Sequence, residues 1–219
     1  MAKIKGSRTF SSPIIAPGIT ASVSDLTLES VSTASDVYTK LLLHGNGTDG
    51  STLITDERGH VETVDPGAAE LDTAQKVFGT ASIELLNGGN NNISFPDSPD
   101  WDFGSGDFTI DFWVRFETAV APQSPLVIAK FGGGGDRSWI LYNNQNGIWL
   151  YLPGWNYYED PCGAGIAWET DTWYHIAVVR DGATLRFFKN GVQIGTNNVT
   201  GYTMLVSTTT LRIASQTGD

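Results

Sequence analysis

Between Phe108 and Glu117 the chain alternates apolar and polar residues without a break. Phe108, Ile110, Phe112, Val114 and Phe116 share one parity, and Thr109, Asp111, Trp113, Arg115 and Glu117 the other. This is the period-two signature of a strand with one face on a core and the other in water. A slip of one residue would drive Asp111 and Arg115 inward, so the pattern fixes register as well as element. The signature returns in the runs 173–180, 183–189 and 192–196. Asp181-Gly182 and Asn190-Gly191 separate these runs and supply the positive φ angles of two-residue type I′ turns, which predicts an antiparallel meander. A further hairpin is predicted from Trp139 to Leu152, turning through Asn143, Asn144, Gln145, Asn146 and Gly147.

Helical periodicity is nearly absent; its best case, Ala68 to Lys76, is short and bounded by Pro66 and Gly79. The chain reads as all-β, an antiparallel sandwich. Ahead of it, residues 1–37 are rich in Ser, Thr and Ala, with Pro13 and Pro17, the composition of an extended arm or linker. Phe10, Ile14, Ile15, Ile19, Val23 and Leu26 are the side chains with which such an arm would dock on a partner surface and order there. The domain proper is expected over 38–219.

Composition narrows the partners. The chain has 219 residues, 40% of them hydrophobic, enough to bury about 70% of its unfolded surface in one core. Its 24 acidic residues against 13 basic ones give a net charge of -11, which repels phosphate backbones and anionic membrane surfaces and argues against nucleic acid as a partner. The single cysteine, Cys162, allows no intrachain disulfide and reads as a structural or idle thiol. "MAKIKGSRTF" has no apolar run behind it, so neither a secretory signal nor a membrane span is expected.

Candidate chemistry is sparse. His44, His60 and His175 are scattered, and no Ser/His/Asp grouping accompanies them. "HGNGTDGS" has the glycines of a phosphate loop without its lysine or its strand-to-helix setting, and reads as turns. In "FPDSPDWDFGSGD" the carboxylates Asp97, Asp100, Asp102 and Asp107 share one loop beside "NGGNNN". Hard oxygen ligands of this kind suit Ca²⁺, although Asp and Asn are equally ordinary turn formers. The strongest binding signal is "GIWLYLPGWNYYEDPCGAGIAWETDTW". Trp149 and Tyr151 project from a strand, whereas Trp155, Tyr157 and Tyr158 lie in a Gly/Pro-bounded loop with Asn156, Glu159 and Asp160. Such a loop folds back over a sheet face, meets a protein partner, or stacks against a glycan.

"GTASIELL", "ISFPDSPDWDFGSGDFTIDFWVRF" and "WYHIAVVRDGATLRFFKNGVQIGT", in that order, resemble the laminin G-like jelly roll of the concanavalin A-like lectin and glucanase superfamily. More narrowly, with "YTKLLLHGNGTDGSTLITDERGH" as its start, the chain looks like the version carried by bacteriophage structural proteins. The resemblance spans about residues 38–214. It implies a calcium site in some members, and a further closing strand beyond "LRIAS", so an open edge is expected at 205–214, to be filled by the arm, a neighbouring subunit or a continuation of the chain. Superfamily enzymes that cleave β-glucans set two carboxylates about 5 Å apart on one strand face. Only 108–117 has the polarity for this, and Asp111 and Glu117 are too far apart along it.

The reading is therefore a non-enzymatic virion structural protein, made in the host cytoplasm. It is a capsid decoration or short fibre held by its arm, with capsid or tail proteins and further copies of itself as partners, and a host-surface glycan as a possible ligand. A tail-associated carbohydrate-binding adhesin is the alternative, and a glycan hydrolase the third.

Overall fold

The sandwich is built from strands that each bury alternate residues. A computed structural model describes residues 37–86, 92–118, 126–133, 135–153 and 162–214, all within the compact unit Ser35–Asp219. The arm residues Phe10, Ile14, Ile15, Ile19, Val23 and Leu26 lie outside the described residues, as do Trp155, Asn156, Tyr157, Tyr158 and Asp160.

Among the described residues thirteen strands follow one another: β1 Thr63–Val64, β2 Ala69–Asp72, β3 Ser82–Leu85, β4 Asn92–Phe95, β5 Phe108–Val114, β6 Val127–Phe131, β7 Arg137–Asn144, β8 Gly147–Tyr151, β9 Cys162–Gly165, β10 Tyr174–Asp181, β11 Thr184–Lys189, β12 Val192–Asn198 and β13 Leu211–Ala214. They form a seven-stranded sheet in the order β1-β4-β13-β6-β7-β8-β9, a four-stranded sheet β12-β11-β10-β5, and a small β2-β3 ribbon. All pairings among the described residues are antiparallel. No helix among the described residues is long and apolar enough to cross a membrane.

One core joins both sheets: Phe95, Trp139, Leu141, Ile148 and Leu150 from the larger meet Ile176, Val178, Leu185 and Phe187 from the smaller. The sheet edges meet where β9 approaches β12, and this closeness demands glycine. A Cβ on Gly195 would stand 2.7 Å from the Cβ of Ala164 and 3.0 Å from the Gly163 carbonyl oxygen.

The alternation over Phe108–Val114 holds. Phe108 is buried, Ile110, Phe112 and Val114 are half-buried against the core, and Thr109, Asp111 and Trp113 face outward. The meander β10-β11-β12 is present, and Asn190 (φ 50°) and Gly191 (φ 79°) form the expected turn. The other turn differs. Asp181 is the last residue of β10 and pairs with Thr184, leaving Gly182-Ala183 as the loop. Gly182 (φ 58°) supplies the single positive φ, as in a type II′ turn, and Asp107 Oδ1 accepts its N–H at 2.7 Å. The expected open edge at 205–214 is also corrected. Residues 211–214 form β13, flanked by β4 on one side and β6 on the other, so the C-terminal strand closes the interior of the larger sheet.

Candidate binding surface

The outer face of β6 to β9 gathers aromatic rings that are far apart in sequence. Tyr142 on β7 pairs with Trp149 on β8, and Ile140 with Tyr151, so these four side chains share the face opposite to the core residues Leu141 and Leu150. Trp149 and Tyr151 therefore stand on the same side. A shift in register after Lys130 brings Phe131 opposite Arg137. The Phe131 ring meets Tyr151 edge-on at 5.9 Å, under the Arg137 guanidinium at 4.9 Å. Trp149 pairs with Gly163 on β9, and a Cβ there would lie 2.2 Å from the indole Cε3. The indole thus packs closely on the Gly163 backbone, with its Nε1–H donating to Asn144 Oδ1 at 3.1 Å. Phe131, Tyr142, Trp149 and Tyr151 are all half-buried, and burial pushes the Tyr142 hydroxyl above its ordinary pKa.

The described residues on either side of 154–161 lead out of β8 and into β9. The first stem leaves β8 at Tyr151 and is fixed where Pro153, buried, accepts a 2.8 Å bond from the Tyr202 hydroxyl; the second stem enters β9 at Cys162. The first stem thus belongs to β8, which presents the indole and the Tyr151 ring, and the second to its neighbour β9. The sequence proposed Trp155, Asn156, Tyr157, Tyr158 and Asp160 and placed Trp149 and Tyr151 only on a strand; it missed Phe131 and Tyr142, because only cross-strand register shows which rings share a face.

The acidic loop is organised around protein cations. Lys130 is fully buried, and its ammonium lies 2.8 Å from Asp97 Oδ1 and 2.6 Å from Asp102 Oδ1. Asp100 pairs with Lys40 at 3.1 Å and with His60 Nε2 at 3.2 Å, while Asp107 is taken by the Gly182 N–H. A buried ammonium needs such compensation, since an unpaired charge in a core is strongly unfavourable. The four carboxylates thus do not converge on one point. Among the described residues no group of three or more His, Cys, Asp or Glu side chains is arranged to hold a metal ion, and this donor set does not fit Ca²⁺.

The histidines are likewise paired with acids: His44 with Glu57, His175 with Asp111 at 3.3 Å, and His60 between Asp56 and Asp100. Asp56, fully buried as a side chain, accepts the N–H groups of Leu42, Arg58 and His60 and the His60 ring nitrogen Nδ1. Burial pushes its carboxyl up, but these donors together outweigh burial and hold it below its ordinary value. Of the carboxylates on 108–117, Asp111 is spent on His175 and Glu117 on Arg115, which also binds Asp171.

No curated protein matches this sequence. Among solved structures, the fold is similar to the binding domain of Paraclostridial Mosquitocidal Protein 1 (14% identity, TM-score 0.57, covering 74% of this chain and 42% of that one). It is also similar to the binding domain of Botulinum neurotoxin DC in complex with SialylT (12%, 0.53, 82% and 45%), and to the same binding domain in complex with rat synaptotagmin II (14%, 0.54, 83% and 45%). The chain thus spans less than half the length of these proteins, and at such identities the likeness is one of fold. Residues 87–219 match a laminin G family, and on that match, which covers more than half of its length, the chain belongs to the concanavalin A-like lectin/glucanases superfamily.

Proposed function

We propose that this chain is a non-enzymatic binding module, a lectin-like sandwich that takes a glycan on the outer face of β7 and β8 and is displayed on a virion through its N-terminal arm. The observation that carries the reading is the half-buried stripe of Phe131, Tyr142, Trp149 and Tyr151. Aromatic faces stack on the apolar faces of pyranose rings, and neighbouring amide and hydroxyl groups fix orientation. Asn144 and the Tyr142 hydroxyl are the polar groups at hand. Support for a binding role also comes from the similar toxin binding domain, which is seen in complex with SialylT and with rat synaptotagmin II. Support for a non-enzymatic role comes from Asp111 and Glu117, each engaged with a separate side chain, His175 and Arg115.

The test is a glycan array probed with the full chain and with Tyr142→Ala combined with Tyr151→Ala. Loss of a stacking ring is expected to weaken binding at least about tenfold, in line with about 1.5 kcal/mol for an aromatic contact. Unchanged glycan binding by a folded double variant would remove this face from the site; release of reducing ends from any bound glycan would identify a hydrolase instead.

A further inference from the structure

The four-stranded sheet ends at β5, and no strand pairs with the far side of β5 among the described residues. The ladder to β10 settles which groups are left over. The Asn190 N–H donates to the His175 carbonyl, so His175 points its backbone groups toward β11. Tyr174, Ile176, Val178 and Arg180 then point theirs toward Val114, Phe112, Ile110 and Phe108. Thr109, Asp111 and Trp113 therefore turn their N–H and C=O groups away from the sheet.

The same edge leaves the core uncovered. On β10 the inward side chains Tyr174, Ile176 and Val178 are 3%, 0% and 0% exposed. Their neighbours on β5, namely Val114, Phe112 and Ile110, are only half-buried although they pack on the same cluster. Exposed sheet edges are normally blunted by shortness, bulges, proline or inward charge. β1 is two residues long, and β12 carries a register shift and meets β9. By contrast β5 is seven residues of unbroken pairing with no proline and no inward charge. At its rim the exposed rings of Phe78 and Trp113 meet edge-on at 5.7 Å.

Charge selects the occupant. Glu84 on β3 lies within electrostatic reach of Glu117, Asp72, Glu70 and Asp49, and Asp111 stands outward on β5 itself. The Arg115 guanidinium is already held by Glu117 and Asp171, and Asp111 faces His175 Nε2 at 3.3 Å. A second copy, with its net charge of -11, would bring more negative charge to this place. We propose that the free edge of β5 receives an extended strand from another polypeptide, apolar toward the core and lysine- or arginine-bearing toward solvent. Main-chain bonds to Thr109, Asp111 and Trp113 would give the affinity, and the acidic surroundings the selectivity.

Amide hydrogen exchange of the full chain tests this, with a nonapeptide alternating Lys and Val as probe, beside its Glu/Val counterpart and a Lys/Val version N-methylated at every residue, which has no pairing edge. The Lys/Val peptide is expected to slow exchange at Thr109, Asp111 and Trp113 at least about tenfold, the Glu/Val and N-methylated peptides hardly at all. Equal protection by the N-methylated peptide would overturn strand pairing, since charge alone would then explain binding. Protection of these three amides before any peptide is added overturns the proposal as well: in favour of a second copy if it grows with protein concentration, and of a segment of the same chain if it does not.

Discussion

Asp56 shows how one carboxylate can organise a stretch without regular structure. It pairs with Leu43 in an isolated bridge while its side chain collects the N–H groups of Leu42, Arg58 and His60. A carboxyl held below its ordinary 3.8 in the fold binds fewer protons folded than unfolded. Its contribution is therefore present above about pH 4 and is lost as pH falls through the folded pKa. Asp56→Ala is expected to cost about 3 kcal/mol at pH 7, because it strands several N–H groups. In urea unfolding, the gap between the wild type and this variant should narrow steadily below pH 4. A gap that stays constant down to pH 2 would show that ionisation of Asp56 is not what the fold uses. Nothing in the spacing of Asp56 marks it as special; its role depends on which loop amides the fold delivers to it.

Among the elements, the β2-β3 ribbon carries an internal conflict, for Glu70 stands directly opposite Glu84. Like charges across an antiparallel pair are destabilising. Glu84 is raised above its ordinary 4.5, first by burial and then by Glu117, Asp72, Glu70 and Asp49. For a carboxyl raised in the fold, the penalty is absent below about pH 4 and grows as pH rises through the folded pKa. Glu84→Gln should therefore stabilise the protein by about 0.5 kcal/mol at pH 7 in low salt, by less in high salt, and not at all at pH 3.5. Thermal unfolding across that grid checks it, and a gain independent of pH would exclude charge as the cause. The strands themselves were legible: alternation at 108–114 and the Asn190-Gly191 dipeptide located β5 and the β11-β12 turn. The Asp181-Gly182 turn was placed one residue early because Gly182 alone has a positive φ, so it opens the turn instead of completing it.

For the whole molecule, the division of labour between arm and sandwich can be measured directly. With residues 2–35 deleted, the remaining domain is expected to stay folded, since its core is drawn from residues 54–211, and to lose co-sedimentation with particles lacking the protein. Retained co-sedimentation would transfer docking to the sandwich and weaken the case that the aromatic face is free for a glycan. The superfamily is shared by modules of many functions, so the fold by itself does not choose between these outcomes.

The sequence by itself determined the class of the fold, because period-two alternation, turn dipeptides and missing helical periodicity are local properties that survive without knowledge of partners. It also placed Trp149 and Tyr151 on a strand and limited what charge of ligand the surface accepts. The tertiary structure alone decided that Phe131 and Tyr142 join them, since register between strands is a long-range quantity. It alone turned Asp97 and Asp102 from candidate calcium ligands into the partners of Lys130, because an ammonium buried 28 residues away from Asp102 in sequence is found only by folding. And it alone moved the open edge from the C-terminal strand to β5: which strand ends a sheet depends on the order in which strands pack, and that order is not written in any one of them.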